Sequence, residues 1–240
     1  MSIYGFLEGS ALQVPAVVQS SVVATVLLVI TGLLIRRQIA AAGGGVVPDE
    51  GVTLRNVAEL LLDSLASIAR DTMGDEWKRY FPLVGTIFVF VLFSNLMGLV
   101  PGLGGATSDV NTTFAWAVIS FGIYNYAGIR KHGFWYINQF MGPSFFDVAI
   151  GGKKFHVRPL FFFFLPLEVF LHVARIGTLA VRLLANMFAD HTVVAVWISL
   201  VPIAIPAVFM GLGLLIAFLQ AAVFSLLTMI YIQLALEDAH

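Results

Sequence analysis

Six polar side chains recur along one long apolar stretch of this chain: Glu168, His172, Arg175, Arg182, Asn186 and Asp190. On a helix turning about 100° per residue they point, relative to Glu168, to about 0°, 40°, 340°, 320°, 0° and 40°. They form a stripe about 80° wide, and the remaining surface is Phe, Leu, Val and Ile. A charged side chain placed in lipid costs roughly 2.5 to 3.5 kcal/mol on insertion scales, so intramembrane ionisable groups mark ion pathways and proton relays. Carboxylates and imidazoles take up and release protons, while arginine keeps its charge. The bland reading is a set of buried ion pairs, Glu168 with His172 or Arg175, that only hold helices together. A second stripe in the last apolar run is weaker: Gly213, Gln220 and Tyr231 fall within about 20° of one another, and Thr228 lies roughly 80° from Gln220. Gly211 and Gly213 also suit close helix packing.

The elements that must carry these residues are set by composition. Of 240 residues, 59% are apolar and 11% charged, against roughly 25% charged in soluble chains, and the mean hydropathy is +0.93. This is an all-α integral membrane protein with about five membrane helices. Uncharged runs predict helices over 16–35, 81–100 and 113–129, followed by a stretch over 159–200 and a last run over 207–236. The first run follows a segment without a basic residue, so it is expected to be a retained span, not a cleaved leader. The 159–200 stretch would be roughly 60 Å long as one helix, about twice the hydrocarbon thickness. It is expected to be a long tilted helix forming a hairpin with 207–236. Between 53 and 80, Leu54, Val57, Leu61, Leu65 and Ile68 recur at helical spacing among charges, which predicts an amphipathic helix on the cytoplasmic membrane surface. The GGG at 43–45 reads as a linker, and the chain as a single membrane domain over 1–240.

Thirteen residues are Lys or Arg. Six lie between Arg36 and Arg79 and five between Arg130 and Arg158, while the segments 1–15, 101–112 and 201–206 have none. The positive-inside rule then places the N-terminus outside and the C-terminus in the cytoplasm. The other two are Arg175 and Arg182, inside the stripe.

The segment PLEVFLHVARIGTLAVRLLANMFADH, the later FLQAAVFSLLTMIYIQLALED and the loop SDVNTT at 108–113 together resemble subunit a of the F-type ATP synthase over about residues 50–238. The resemblance implies the stator part of the proton channel: two offset half-channels and an essential arginine facing a rotating ring of c subunits, each bearing a carboxyl group. It places the arginine at Arg182, its neighbouring asparagine at Asn186 and the hairpin glutamine at Gln220. Glu168, Arg175 and His191 match further ionisable positions, and Asp109 a polar residue at the outer entrance. With His172 and Asp190 from the stripe, these make up the candidate proton path. The chain departs from the family pattern at Gly213, where many members carry His or Glu, and at Asp190, where they often carry Gly. We read this as an exchange of the ionisable group across the hairpin. The resemblance also implies peripheral-stalk b subunits and, indirectly, the F1 sector as partners, a bacterial inner membrane in preference to a thylakoid membrane, and no nucleotide site on this chain.

Other functions fit less well. With no cysteine, thiolate metal sites and thiol nucleophiles are excluded. Haem needs axial histidines on facing helices, whereas His172 and His191 share one helix. No metal or cofactor is expected, the near-neutral charge gives no reason to expect nucleic acid, and membrane lipid is the surrounding partner. A secondary ion transporter or channel is the alternative, weakened by the absence of internal repeats.

Overall fold

The computed structural model describes residues 16–41, 51, 53–100, 106–133, 146–150, 153–157, 161–200 and 204–237. Among them are six α-helices: α1 (Ala16–Ala41), α2 (Leu54–Met73), α3 (Trp77–Gly98), α4 (Val110–His132), α5 (Phe161–Leu200) and α6 (Ala204–Leu236). The N-terminal segment 1–15, the linker at 43–45 and residues 101–105 and 201–203 lie outside the described residues.

Local chemistry sets the ends. Thr53 caps α2 by accepting a hydrogen bond from the Asn56 backbone N–H at 3.2 Å, and Gly74, at φ 56°, closes it, a backbone conformation that glycine adopts at no steric cost. The surface helix expected over 53–80 therefore stops at Met73. Gly74–Glu76 form a 3-10 turn, and Trp77–Tyr80 are the first turn of the next spanning helix. Three other helices extend beyond their expected bounds: α1 continues past Arg36 and Arg37, α4 runs from 110 to 132 instead of 113–129, and α6 starts at Ala204, taking Pro206 into its first turn, while α3 ends at Gly98 and α5 starts at Phe161. Proline's missing N–H costs nothing there, because the first-turn donors have no helical acceptor. One non-helical element also appears. The basic segment between α4 and α5 holds an antiparallel pair, β1 (Phe146–Ile150) and β2 (Lys153–Val157), in register Phe146 to Val157 and Ile150 to Lys153.

Four stretches are long and apolar enough to cross a membrane: Val18–Ala40, Leu54–Gly98, Phe170–Leu200 and Ala204–Leu236. Of the five expected spans, α4 is the one left out. Asn111, Thr112, Thr113, Ser120 and Asn125, with Arg130 and Lys131, dilute its hydropathy. Its 23 residues nevertheless reach about 34 Å, and it packs along both α5 and α6.

α6 is the central helix and touches α2, α3, α4 and α5. Its buried face includes Gly213, Ala217, Ala221 and Ser225, one small residue every four. Apolar attraction does not separate helices from lipid, so close backbone approach through such small rows holds membrane bundles together. Around it the core gathers Leu65 and Met73 of α2, Val84 and Ile87 of α3, Leu183 of α5, and Phe224 and Ile232 of α6. The amphipathic helix α2 thus turns Leu65, Ala69 and Met73 onto the protein, and leaves Leu54, Val57 and Ile68 exposed on its flank.

α5 and α6 form an antiparallel pair in constant register. Trp197 stacks on Phe209 at 5.8 Å, Asn186 bonds Gln220 and Arg175 lies over Tyr231. Going from the first contact to the last, α5 steps back 22 residues and α6 forward 22. α5 runs 40 residues without interruption, about 60 Å, so it crosses a bilayer about 30 Å thick only if steeply inclined.

Candidate functional site

The stripe sits at the seam between the packed and the open face of α5. Leu179, Ala180, Leu183 and Met187 face inward, whereas Val181, Phe188 and Val196 are exposed. His172 and Asp190 lie towards the packed side, and Arg182 towards the open side.

Arg182 is exposed and makes no ion pair or hydrogen bond among the described residues. One turn on, the Asn186 side-chain amide donates to Gln220 Oε1 at 2.9 Å. Gln220 is 5% exposed, and its Nε2 is buried with no hydrogen-bond partner among the described residues. An unmade hydrogen bond on a buried donor costs about 1 to 3 kcal/mol, and such a group is a place for water or a passing polar group. A further turn on, Asp190 occupies the space a side chain at Gly213 would need. A Cβ built on Gly213 falls 2.7 and 2.8 Å from the two Asp190 carboxylate oxygens and 2.6 Å from Leu99 Cδ2. The Asp190 carboxylate thus lies where a side chain at 213 would begin. Arg182, Asn186 with Gln220, and Asp190 over Gly213 follow one another along the α5–α6 seam.

Towards the other end of α5 the character changes. The Arg175 guanidinium lies 5.3 Å from the centre of the Tyr231 ring, and Tyr231 packs on Tyr124 of α4 at 5.9 Å. His172, 7% exposed, contacts the rings of Tyr124 at 5.8 Å and Phe121 at 6.3 Å. A cation held against aromatic faces needs no carboxylate partner. This part of the stripe is an aromatic box joining α4, α5 and α6.

The remaining candidates are scattered. Glu168 lies on α5 with its side chain outside the described residues. His191 is half-buried and sits about 100° from Asp190, off the stripe. Asp109 is the N-cap of α4: its Oδ1 accepts from the Asn111 backbone N–H at 2.7 Å, and its backbone carbonyl from the Thr113 N–H at 3.1 Å. Among the described residues no cluster of three or more acidic, histidine or cysteine side chains could hold a metal.

One polar group escaped the sequence reading. Asn95 of α3 is fully buried, accepts at Oδ1 from the Thr107 hydroxyl at 2.7 Å and donates to the Ala217 carbonyl of α6 at 3.4 Å. A lone Asn in the apolar run 81–100 was the available signal, since an amide in lipid must find partners.

Comparison with known proteins gives a consistent result. The family model described as ATP synthase A chain matches residues 18–233. ATP synthase subunit a 1 of Syntrophotalea carbinolica is 41% identical over 187 residues, 78% of this chain and 74% of that protein. ATP synthase subunit a of Geobacter sulfurreducens is 41% identical over 187 residues, 78% of this chain and 76% of the relative. ATP synthase subunit a of Bdellovibrio bacteriovorus is 37% identical over 196 residues, 81% of this chain and 80% of the relative.

Proposed function

The chain belongs to the ATP synthase A chain family, and from that premise we propose that Arg182 is the arginine past which the carboxyl groups of a rotating c-subunit ring are carried. The protein is the stator subunit of the proton channel in the membrane sector of the synthase, a multi-pass protein of the bacterial inner membrane. The alternative of a secondary transporter or channel gives way to that membership.

The observation that carries the site reading is Arg182 itself, an exposed guanidinium without an ion pair among the described residues, on a helix whose described exposed residues are otherwise uncharged. A residue that separates two half-channels must stay charged and must never hand on its own proton. Arginine meets both conditions, whereas a buried lysine loses its proton readily. A ring carboxyl arriving beside Arg182 meets an opposite charge at close range, which favours its ionised form. It releases its proton on one side and regains one on the other. One elementary charge moving through 100 mV releases about 2.3 kcal/mol, and repeated transfers drive rotation.

Asp190, backed by His191, brings protons towards the ring on the side of Gly213 and Leu99. Asn186 and Gln220 hold the seam next to Arg182, with Gln220 Nε2 free to bind a water or the ring carboxylate. Glu168 is a further group that relays protons or keeps water in the entry half-channel, and Arg175 and His172 complete the polar stripe along the path. Asp109 acts as a helix cap near the outer mouth. The c-ring covers the open face of α5, the peripheral-stalk b subunits and the F1 sector complete the assembly, and the N-terminus faces outward with the C-terminus in the cytoplasm. Nucleotide chemistry lies on other chains.

The test is Arg182→Gln in the assembled complex. The subunit should still incorporate, because Arg182 is exposed and makes no hydrogen bond or ion pair among the described residues, while ATP-driven proton pumping and proton-driven ATP synthesis should fall to background. Coupled pumping retained in the variant overturns the assignment.

A further inference from the structure

Asn95 of α3 has no part in the path described so far, yet it meets the hairpin at its centre. On α6, Gly213, Ala217 and Gln220 share one face, within about 60°. Asp190 lies against the first of them and Asn186 bonds the last. The carbonyl of Ala217, between the two, accepts from Asn95 Nδ2 at 3.4 Å. One turn further along α3, about 40° round the helix, comes Leu99. Its Cδ2 reaches to 2.6 Å from the point where a Gly213 Cβ would stand, and the Asp190 oxygens come to 2.7 and 2.8 Å from that same point. α3 therefore meets α6 at two successive places, and at the second Leu99 and the Asp190 carboxylate share the notch that a glycine leaves.

Asn95 is itself held from behind. It is fully buried, and its Oδ1 accepts from the Thr107 hydroxyl at 2.7 Å. A flipped amide would set Oδ1 against the Ala217 carbonyl, two acceptors facing each other, so the NH2 group faces α6 and the hydroxyl donates. Thr107 belongs to the 3-10 turn Ala106–Ser108 in the connection from α3 to α4. That turn packs against α1, α3, α4 and α5. Ala106 and Thr107 are both fully buried, and Ala106 joins the apolar cluster of Ala24, Phe90 and Met97.

Resting on the proton-channel reading above, we propose that Asn95 is a positioning residue for Asp190. With its amide oriented by Thr107 and Ala217, it sets the register and spacing of α3 on α6, and Leu99 thereby confines the Asp190 carboxylate to the notch at Gly213. Apolar packing between α3 and α6 is non-directional, whereas hydrogen bonds on two sides of one amide fix both its distance and its angle. A proton-carrying group benefits from that precision, because its partners must lie within hydrogen-bond reach at each transfer.

The experiment measures ATP-driven acidification of inverted vesicles per assembled complex, together with the thermal stability of the purified complex. Asn95→Leu, close in volume but without hydrogen bonds, should pump about tenfold more slowly, since misplacing a reacting group by about 1 Å costs up to about a hundredfold. Leu99→Ala, which leaves both hydrogen bonds in place, should show the same loss. Thr107→Val should slow pumping several-fold, and Thr107→Ser, which keeps the hydroxyl, should match the parent. In the Asp190→Gly background Asn95→Leu should cost less than about twofold more, because no carboxylate remains to be confined. A residue that only holds helices together would lower stability and assembly while leaving turnover per complex unchanged. Parent turnover in Asn95→Leu therefore overturns the proposal. So does a loss that multiplies in full on Asp190→Gly, or an Asp190→Gly variant that pumps at the parent rate. If Asn95→Leu does not assemble, Thr107→Val decides by the same criteria. Arg182→Gln, run in parallel, separates the two levels: coupled pumping retained there removes the channel reading itself, whereas an inactive Arg182→Gln beside parent turnover in Asn95→Leu removes only the role of Asn95.

Discussion

If the Asp190 carboxylate stands in for an ionisable side chain at 213, moving the group back across the hairpin should restore what its removal destroys. In Asp190→Gly the carboxylate is lost and the space beside Gly213 opens. In Gly213→Asp alone the new Cβ lands 2.6 to 2.8 Å from Leu99 Cδ2 and the Asp190 oxygens, where ordinary contact begins at 3.4 Å. Each neighbour must withdraw by 0.6 to 0.8 Å. Both contacts are with the ends of flexible side chains, so the packing cost is about 1 kcal/mol, the low end for overpacked sites. The functional cost is larger, because a shift of that size stretches a hydrogen bond of 2.8 Å beyond the range in which it holds, and because two carboxylates about 4 Å apart repel by about 4 kcal/mol at an effective dielectric constant of 20. In the double variant the contact with Asp190 and the repulsion both disappear, and only the end of the Leu99 side chain must still withdraw.

The assay is ATP-driven acidification of inverted membrane vesicles, normalised to the amount of assembled complex. A positioned acid or base contributes about 10²- to 10⁴-fold where water cannot replace it. Partial replacement by water is expected here, so each single variant should lose at least about tenfold, and the double variant should return to within about tenfold of the parent. If the two sites acted independently the losses would multiply to about a hundredfold, so recovery corresponds to a coupling of at least about 1.4 kcal/mol. Asp190→Gly that pumps at the parent rate, or a double variant as inactive as the product of the singles, refutes the exchange; in the first case the inward path runs through Glu168 and His191 instead. Gly213→His in the Asp190→Gly background should recover part of the activity on the same grounds.

Two further outcomes follow from the geometry. Asp109→Ala should lower the thermal stability of the detergent-solubilised subunit by about 1 kcal/mol through loss of the α4 cap, with pumping per assembled complex close to that of the parent; a specific loss of pumping would return Asp109 to the proton path. Gln220→Leu removes the acceptor of Asn186 and should slow pumping several-fold, while adding Asn186→Leu should cost less than a second independent loss; strictly additive losses would show that the pair does not act as a unit.

The stripe was legible because helical periodicity is arithmetic: with α5 unbroken, residues at 168, 172, 175, 182, 186 and 190 fall together whatever surrounds them. Which edge of the stripe is packed was not legible. His172 lies against Tyr124 and Phe121 of α4 because of how distant helices assemble, and no spacing within α5 encodes that. The cap that Asp109 forms had a local signal, an Asp preceding an Asn-Thr-Thr run at a helix start. The β1–β2 pair had a signal too, since two glycines between the runs FDVAI and KKFHV are a hairpin sequence pattern. The small-residue row on α6 was read only at Gly211 and Gly213, and its continuation through Ala217, Ala221 and Ser225 shows why this helix could become the centre of the bundle.

What the tertiary structure adds to the stripe is a division of labour within it. Arg175 and Arg182 are seven residues apart on one helix, about two turns, and helical spacing alone treats them alike. Arg175 is settled against the Tyr231 ring inside the bundle. Arg182 has no such partner among the described residues and is exposed. Lipid cannot be its neighbour without a cost of roughly 2.5 to 3.5 kcal/mol or more. A fixed carboxylate on this chain would cancel that cost but would also hold the guanidinium permanently, leaving nothing to attract a moving charge. In the proposed function the counter-ion is the carboxyl group of a passing ring, which can arrive and leave.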